Sequence, residues 1–158
     1  KKIYFKNLKD IFDWMSKIFK QKVVICLHPT SNIFEYKDYF TNCIITKYET
    51  EKNISESSVV MFHESGSITD AIFKKKKIIS LSTTIFGSYV SKRIELYRKR
   101  LNLVSIDLEN NTMPEDQIFL KKLQESVKNY KYYIDNYLKS DNDCPGIDKI
   151  MKTIKIYF

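Results

Sequence analysis

Five short apolar runs constrain this chain more than anything else in it. They are residues 23–27 (VVICL), 43–46 (CIIT), 59–62 (VVMF), 78–81 (IISL) and 103–106 (LVSI). Runs of this length, rich in Val and Ile and bounded by polar residues, read as strands. Helical spacing fills the gaps between them. The clearest case is residues 5–19, where Leu8, Ile11, Phe12, Met15, Ile18 and Phe19 fall on one face of a helix. Strands alternating with helices build βαβ units and hence a mostly parallel sheet covered on both faces. The expectation is one α/β domain over residues 1–158: a Rossmann-like, doubly wound, five-stranded sheet with helices on both faces. The run 23–27 is expected to be buried on both sides.

Further helices are expected at 33–40, 53–57, 67–75, 88–101 and 147–157, with one long helix or two over 114–138. In that last stretch Ile118, Leu120, Leu123, Val127, Tyr130, Ile134 and Leu138 are the expected buried positions. Residues 47–52 read as a polar loop, and Lys74 to Lys77 as a cationic helix end where the dipole favours them.

Charge narrows the partners. Lys and Arg outnumber Asp and Glu by 27 to 19, a net charge of +8. That balance suits a nucleotide, a phosphorylated ligand, nucleic acid or a membrane surface, and equally a lysine-rich surface that keeps the chain in solution. Cys26, Cys43 and Cys144 have no metal-ligand spacing, and an odd count gives no disulfide framework. Cys26 and Cys43 lie in apolar runs and are expected to be buried thiols of a reducing compartment. No apolar run is long enough to cross a bilayer. The chain opens mid-pattern at Lys1-Lys2-Ile3, and is read as a segment of a larger protein.

In an open parallel sheet, ligands sit outside the carboxyl ends of the strands, where strand order reverses. The first strand ends at His28-Pro29 and the third at His63-Glu64; these are the only histidines in the chain. The competing reading for each is a strand-end histidine bonded to a nearby carbonyl. After His63 come Glu64, Ser65, Gly66 and Ser67, which offer backbone N–H groups, two hydroxyls and a helix start. Those are the parts of an anion site, with Gly66 expected to supply a positive φ or close approach. Ordinary helix capping by Ser65 or Ser67 uses the same residues. A lone glycine excludes the glycine-rich dinucleotide turn and the P-loop. Asp70 is read as a structural residue of the first helical turn. The 97–100 run, with Lys92 and Arg93, is read as a solvated helix face or as a contact for phosphate or acidic lipid.

The segments 23–29, 58–71 and 76–81 together resemble the C-terminal half of GT-B glycosyltransferases of bacterial capsule and lipooligosaccharide synthesis, including sialyltransferases with an HP motif and a serine-pair motif. The likeness covers residues 8–107; the serine pair is split here by Gly66, and Lys75-Lys76-Lys77 stands where Gly-Lys-Pro is common. The resemblance implies a donor-binding domain for a CMP- or UDP-linked sugar, with a glycan acceptor, no metal or other cofactor, and a cytoplasmic location with contact to the inner membrane face. It implies His28 as a catalytic and phosphate-contacting residue, with Pro29, His63, Glu64, Ser65, Gly66 and Ser67 lining the nucleotide site and an acidic residue further on holding ribose or base. The Ser-Gly turn is also similar to that of UDP-sugar 2-epimerases. The remaining alternative is a non-catalytic basic α/β module that binds nucleotide or nucleic acid. A receiver-like domain is disfavoured, because His28-Pro29 and His63-Glu64 stand where its acidic residues would be.

Overall fold

Helix α1 (Lys2–Phe19) follows directly from its periodicity: Phe5, Leu8, Ile11, Phe12 and Met15 form its buried stripe. It opens a computed structural model that describes residues 2–63, 65–110 and 113–138. The chain then alternates as expected: β1 (Val24–Leu27), α2 (Phe34–Lys37), β2 (Ile44–Lys47), α3 (Thr50–Glu56), β3 (Val59–Phe62), α4 (Ile68–Phe73), β4 (Lys77–Ser82), α5 (Gly87–Leu101), β5 (Val104–Asp107) and α6 (Asp116–Ser126). A 3-10 turn, the short α7 (Tyr130–Tyr133) and a wide π turn (Ile134–Leu138) continue α6. Thr50 already begins α3, so the polar loop expected at 47–52 shrinks to Tyr48 and Glu49. The helix expected at 147–157 and Cys144 lie outside the described residues.

All strand pairs are parallel, yet they do not form one five-stranded sheet. β1 pairs with β2, and β3, β4 and β5 pair in that order, as two sheets of 2 and 3 strands. Side-chain packing carries the continuity that the hydrogen-bond ladder lacks. Ile25 and Ile45 from the smaller sheet, and Val59 and Met61 from β3, all pack on the core that α1 builds with Ile79, Leu81 and Ile106. Burial of β1 is one-sided. Val24 is 40% and Ile44 47% exposed, and Cys26 is exposed rather than buried. On that face Asn53 of α3 donates to Cys26 Sγ at 3.4 Å and to Thr46 Oγ1 at 2.9 Å. Cys43 is half-buried, and its thiol is pushed up by that burial.

Helices cover both faces of the larger sheet. Ile79 and Leu81 point to α1 and α6, where Phe119 and Leu123 meet them. Ile78 points the other way, to Ile68, Ala71 and Ile72 of α4, Leu101 of α5 and Tyr130. In α6 it is Phe119, 1% exposed, that enters the core, while Ile118 faces solvent at 49%. Asn7 is buried in the first core and donates to the Leu108 carbonyl at 2.6 Å, tying α1 to the segment after β5.

This glycine-poor chain closes its helices with other residues. Lys20, Lys75 and Asn102, with φ 51° each, follow α1, α4 and α5 in the left-handed region. Asn102 is the natural substitute for glycine there. The four-lysine run has a specific job. Lys74 donates to Ser55 Oγ at 2.6 Å, and Lys76 donates to the carbonyls of Ser55 and Ser57 at 2.7 and 2.8 Å. The cations thus neutralise the negative end of the neighbouring α3 rather than that of α4 alone.

Candidate functional site

The parallel ladder puts the carboxyl ends of β3, β4 and β5 on one edge, where a ligand of an α/β sheet is expected. His63 follows β3, and both of its ring nitrogens are engaged. Nδ1 lies 3.1 Å from the Leu81 carbonyl and Nε2 lies 2.8 Å from the Tyr4 hydroxyl. A carbonyl only accepts, so Nδ1 carries the hydrogen and the Tyr4 hydroxyl donates to Nε2. Burial holds the imidazole pKa below its ordinary value, against the opposing bond to Leu81, and pushes the Tyr4 phenol up to about 12. Phe86 closes the cluster, 5.1 Å from the His63 ring and 5.8 Å from Tyr4. His63 is therefore a neutral clamp between α1, β3 and β4, the strand-end histidine of the competing reading.

In that turn the Ser65 and Ser67 hydroxyls are bonded to each other at 2.6 Å, and the Ser67 N–H donates to Ser65 Oγ at 3.3 Å. Neither hydroxyl caps α4 in the usual way. Ser67 occupies the cap position with helical φ and ψ and makes no side-chain cap bond. Gly66 is not among the positive-φ residues, and a Cβ added there would meet nothing within 4 Å, so the expected steric need for glycine is not met. What the turn offers is two exposed or half-exposed hydroxyls. Asp70 lies in the first turn of α4. Glu64 lies outside the described residues.

His28 is exposed at the end of β1, where its Nδ1 is 2.8 Å from Thr30 Oγ1. Lys47 holds the same turn by donating to the Pro29 carbonyl at 2.9 Å. Among the described residues, no hydrogen bond, ion pair or ring contact joins His28 to His63 or to the Ser65–Ser67 hydroxyl pair. The two histidines belong to two sheets, so the crevice expected between the first and third strands is not built from one continuous ladder.

The structure adds a cleft that the sequence reading passed over. It has a volume of about 220 Å³ and lies at the ends of β4 and β5 against α5. Ser82, Thr83 and Thr84 form one wall, Asp107 and Glu109 another, and Ser91, Glu95 and Arg98 of α5 the third. Glu109 Oε1 accepts from the Thr84 N–H at 2.7 Å, from the Thr84 hydroxyl, and from Thr83 Oγ1 at 3.4 Å. These bonds, those of Thr84 foremost, hold the Glu109 carboxyl below its ordinary pKa. Asp107 accepts from the Glu109 N–H at 2.8 Å and from Asn110 at 2.5 Å. Arg98 is spent on Glu95, which it grips with two bonds of 2.6 Å, lowering the Glu95 pKa to about 2.

Those charges decide what the cleft can hold. Glu95 and Arg98 satisfy each other, so Asp107 and Glu109 leave the cleft acidic, unfavourable to an anion and able to accept from hydroxyls. The volume is below the roughly 300–1,000 Å³ of sites for drug-sized ligands. A sequence signal for it existed. Ser82-Thr83-Thr84 and Asp107-Leu108-Glu109 directly follow the apolar runs 78–81 and 103–106, and the carboxyl-end rule applies to every strand of a parallel sheet.

Among the described residues, no group of His, Cys, Asp and Glu could hold a metal ion, and no helix is long and apolar enough to cross a membrane. No family model, no curated protein and no solved structure matches this chain.

Proposed function

We propose that this chain is a nucleotide-sugar-binding domain, the donor half of a GT-B-type glycosyltransferase. The observation that carries the reading is the division of chemistry along one sheet edge. Paired hydroxyls stand at the end of β3, and a carboxylate-lined cleft stands at the ends of β4 and β5. A nucleotide sugar is divided in the same way, into phosphate and polyol. In this reading the Ser65–Ser67 hydroxyls donate to phosphate oxygens, and Asp107 and Glu109 accept from ribose or sugar hydroxyls. Glu109 supplies the acidic residue beyond the serine turn that the family resemblance implies. His28, exposed and bonded through Nδ1 to Thr30, donates from its other ring nitrogen to the phosphate that departs when the acceptor hydroxyl displaces it at the anomeric carbon. Donors aimed at that oxygen stabilise the charge as it develops.

A thermal-shift panel of CMP, CDP, UDP, GDP and ADP tests the reading. At a ligand concentration of 100 times Kd, stabilisation is about 2.7 kcal/mol. At about 2–4 °C per kcal/mol for a chain of this size, that is a rise of roughly 5–10 °C. One nucleotide is expected to give this rise, and Ser67→Ala and His28→Ala to diminish it. No rise with any of the five contradicts the reading.

A further inference from the structure

The loop after β4 and the outer face of α5 combine two kinds of side chain that a solvated helix does not need together. Ile85 is 59%, Phe86 40%, Tyr89 71% and Leu96 49% exposed. Scattered apolar residues on a surface are ordinary, but these four lie on one loop and the helix it enters. On α5, Tyr89, Lys92, Arg93, Leu96, Lys99 and Arg100 are all exposed and fall on one helical stripe, while Ile94 and Leu101 are buried opposite. The helix carries five cations and one acid, Glu95, which is occupied by Arg98 and Lys99. Two of the cations rest on aromatic rings: Arg93 lies 5.8 Å from the Tyr89 centroid and Arg100 lies 4.4 Å from Tyr137. The inner side of Phe86 packs on Tyr4 and His63, so the apolar tip is mounted on the folded core.

We propose that this face docks the chain on an anionic lipid bilayer. Ile85, Phe86 and Tyr89 enter the headgroup layer, and Lys92, Arg93, Lys99 and Arg100 contact lipid phosphates. Charge complementarity selects the bilayer's sign, and the apolar tip selects a bilayer over nucleic acid, whose backbone offers Ile85 and Leu96 nothing to enter. Amphipathic faces with this composition bind the interface by apolar burial plus attraction to acidic lipid. The inference stands independently of the nucleotide-sugar reading.

Vesicle co-sedimentation tests it with the full chain, using phosphatidylcholine alone and phosphatidylcholine with phosphatidylglycerol. Partition is expected only into the anionic vesicles and is expected to weaken with added salt. Lys92→Gln and Arg93→Gln should each lower it by about fivefold, the share of one cation near an acidic surface. Ile85→Ser should lower it by about tenfold through the apolar carbons withdrawn. Lys122→Gln, on the helix that covers the other face of the sheet, should leave it unchanged. All four positions are exposed, and unchanged unfolding temperatures will show that the variants fold. Equal partition into both vesicle types overturns the proposal, as does no partition at all. Insensitivity to Ile85→Ser with loss in the two charge variants also overturns it, because a purely electrostatic surface, such as one for RNA, behaves in that way.

Discussion

The Tyr4 hydroxyl donates to His63 Nε2 at 2.8 Å, across 59 positions of sequence. With Nδ1–H on the Leu81 carbonyl, the imidazole is held neutral and fully bonded between α1 and two strand ends. The turn Ser65–Ser67 begins two residues later.

Tyr4→Phe removes the donor and leaves Nε2 in a mostly buried site with no partner. A lost hydrogen bond of this kind costs about 1–3 kcal/mol. Urea unfolding should show a midpoint lowered accordingly, with its slope unchanged. An unchanged midpoint would mean that water replaces the phenol.

Acid should undo the same clamp. Burial lowers the folded-state pKa of His63, so the unfolded chain binds the proton more tightly. The stability contributed by neutral His63 is complete above the unfolded value near 6.5 and is lost as pH falls below it, toward the lower folded value. Stability measured from pH 7.5 down to 5.5 should therefore decline in the wild type and decline less in His63→Gln. The lowered carboxyls of Glu95 and Glu109 act in a separate, more acidic window, below the ordinary carboxylate range near 4.5. A wild-type slope identical to that of His63→Gln contradicts the neutral-clamp account.

The glycines separate cleanly. Gly87 has φ +79°, in the region that penalises a Cβ, and Gly66 has neither that φ nor a neighbour within 4 Å. Gly87→Ala should cost about 1 kcal/mol or more, and Gly66→Ala should be neutral or stabilise by up to about 1 kcal/mol. Paired denaturation curves read the difference.

Lys76 tests the role assigned to the lysine run. Lys76→Met keeps the stem and removes the ammonium that bonds two carbonyls at the C-terminal end of α3. A loss of about 1–2 kcal/mol is expected. Lys75→Met, at an exposed position, should lose little.

How much of this was legible depended on whether the signal was local. Val59 to Phe62 was read residue for residue, and α1 and α5 to within a few residues, because hydrophobic period and length decide such elements. The ladder break between β1 and β3 was not legible: which strands share hydrogen bonds is decided by packing across the whole domain. The one-sided burial of Val24 and Cys26 was missed for the same reason, since a continuous apolar run does not say which face finds a cover. Ile118 and Phe119 are adjacent, and choosing between them needs the helix phase to within one residue. The importance of His63 was visible from its place at a strand end; its partner Tyr4 was not, because nothing in the sequence links positions so far apart. The β4–β5 cleft lies where the carboxyl-end rule places ligands, but its two walls meet only through the pairing of those strands.

The central claim is that phosphate and polyol of one nucleotide sugar divide between the Ser65–Ser67 turn and the cleft at Asp107 and Glu109. Amide NMR spectra recorded during titration with CMP and with UDP test it most directly. The account predicts saturable shifts at Ser65, Gly66 and Ser67 together with Thr83, Thr84 and Glu109 for one nucleotide, with Glu109→Gln weakening both sets. Shifts confined to α5, or none at all at these six residues, would contradict it.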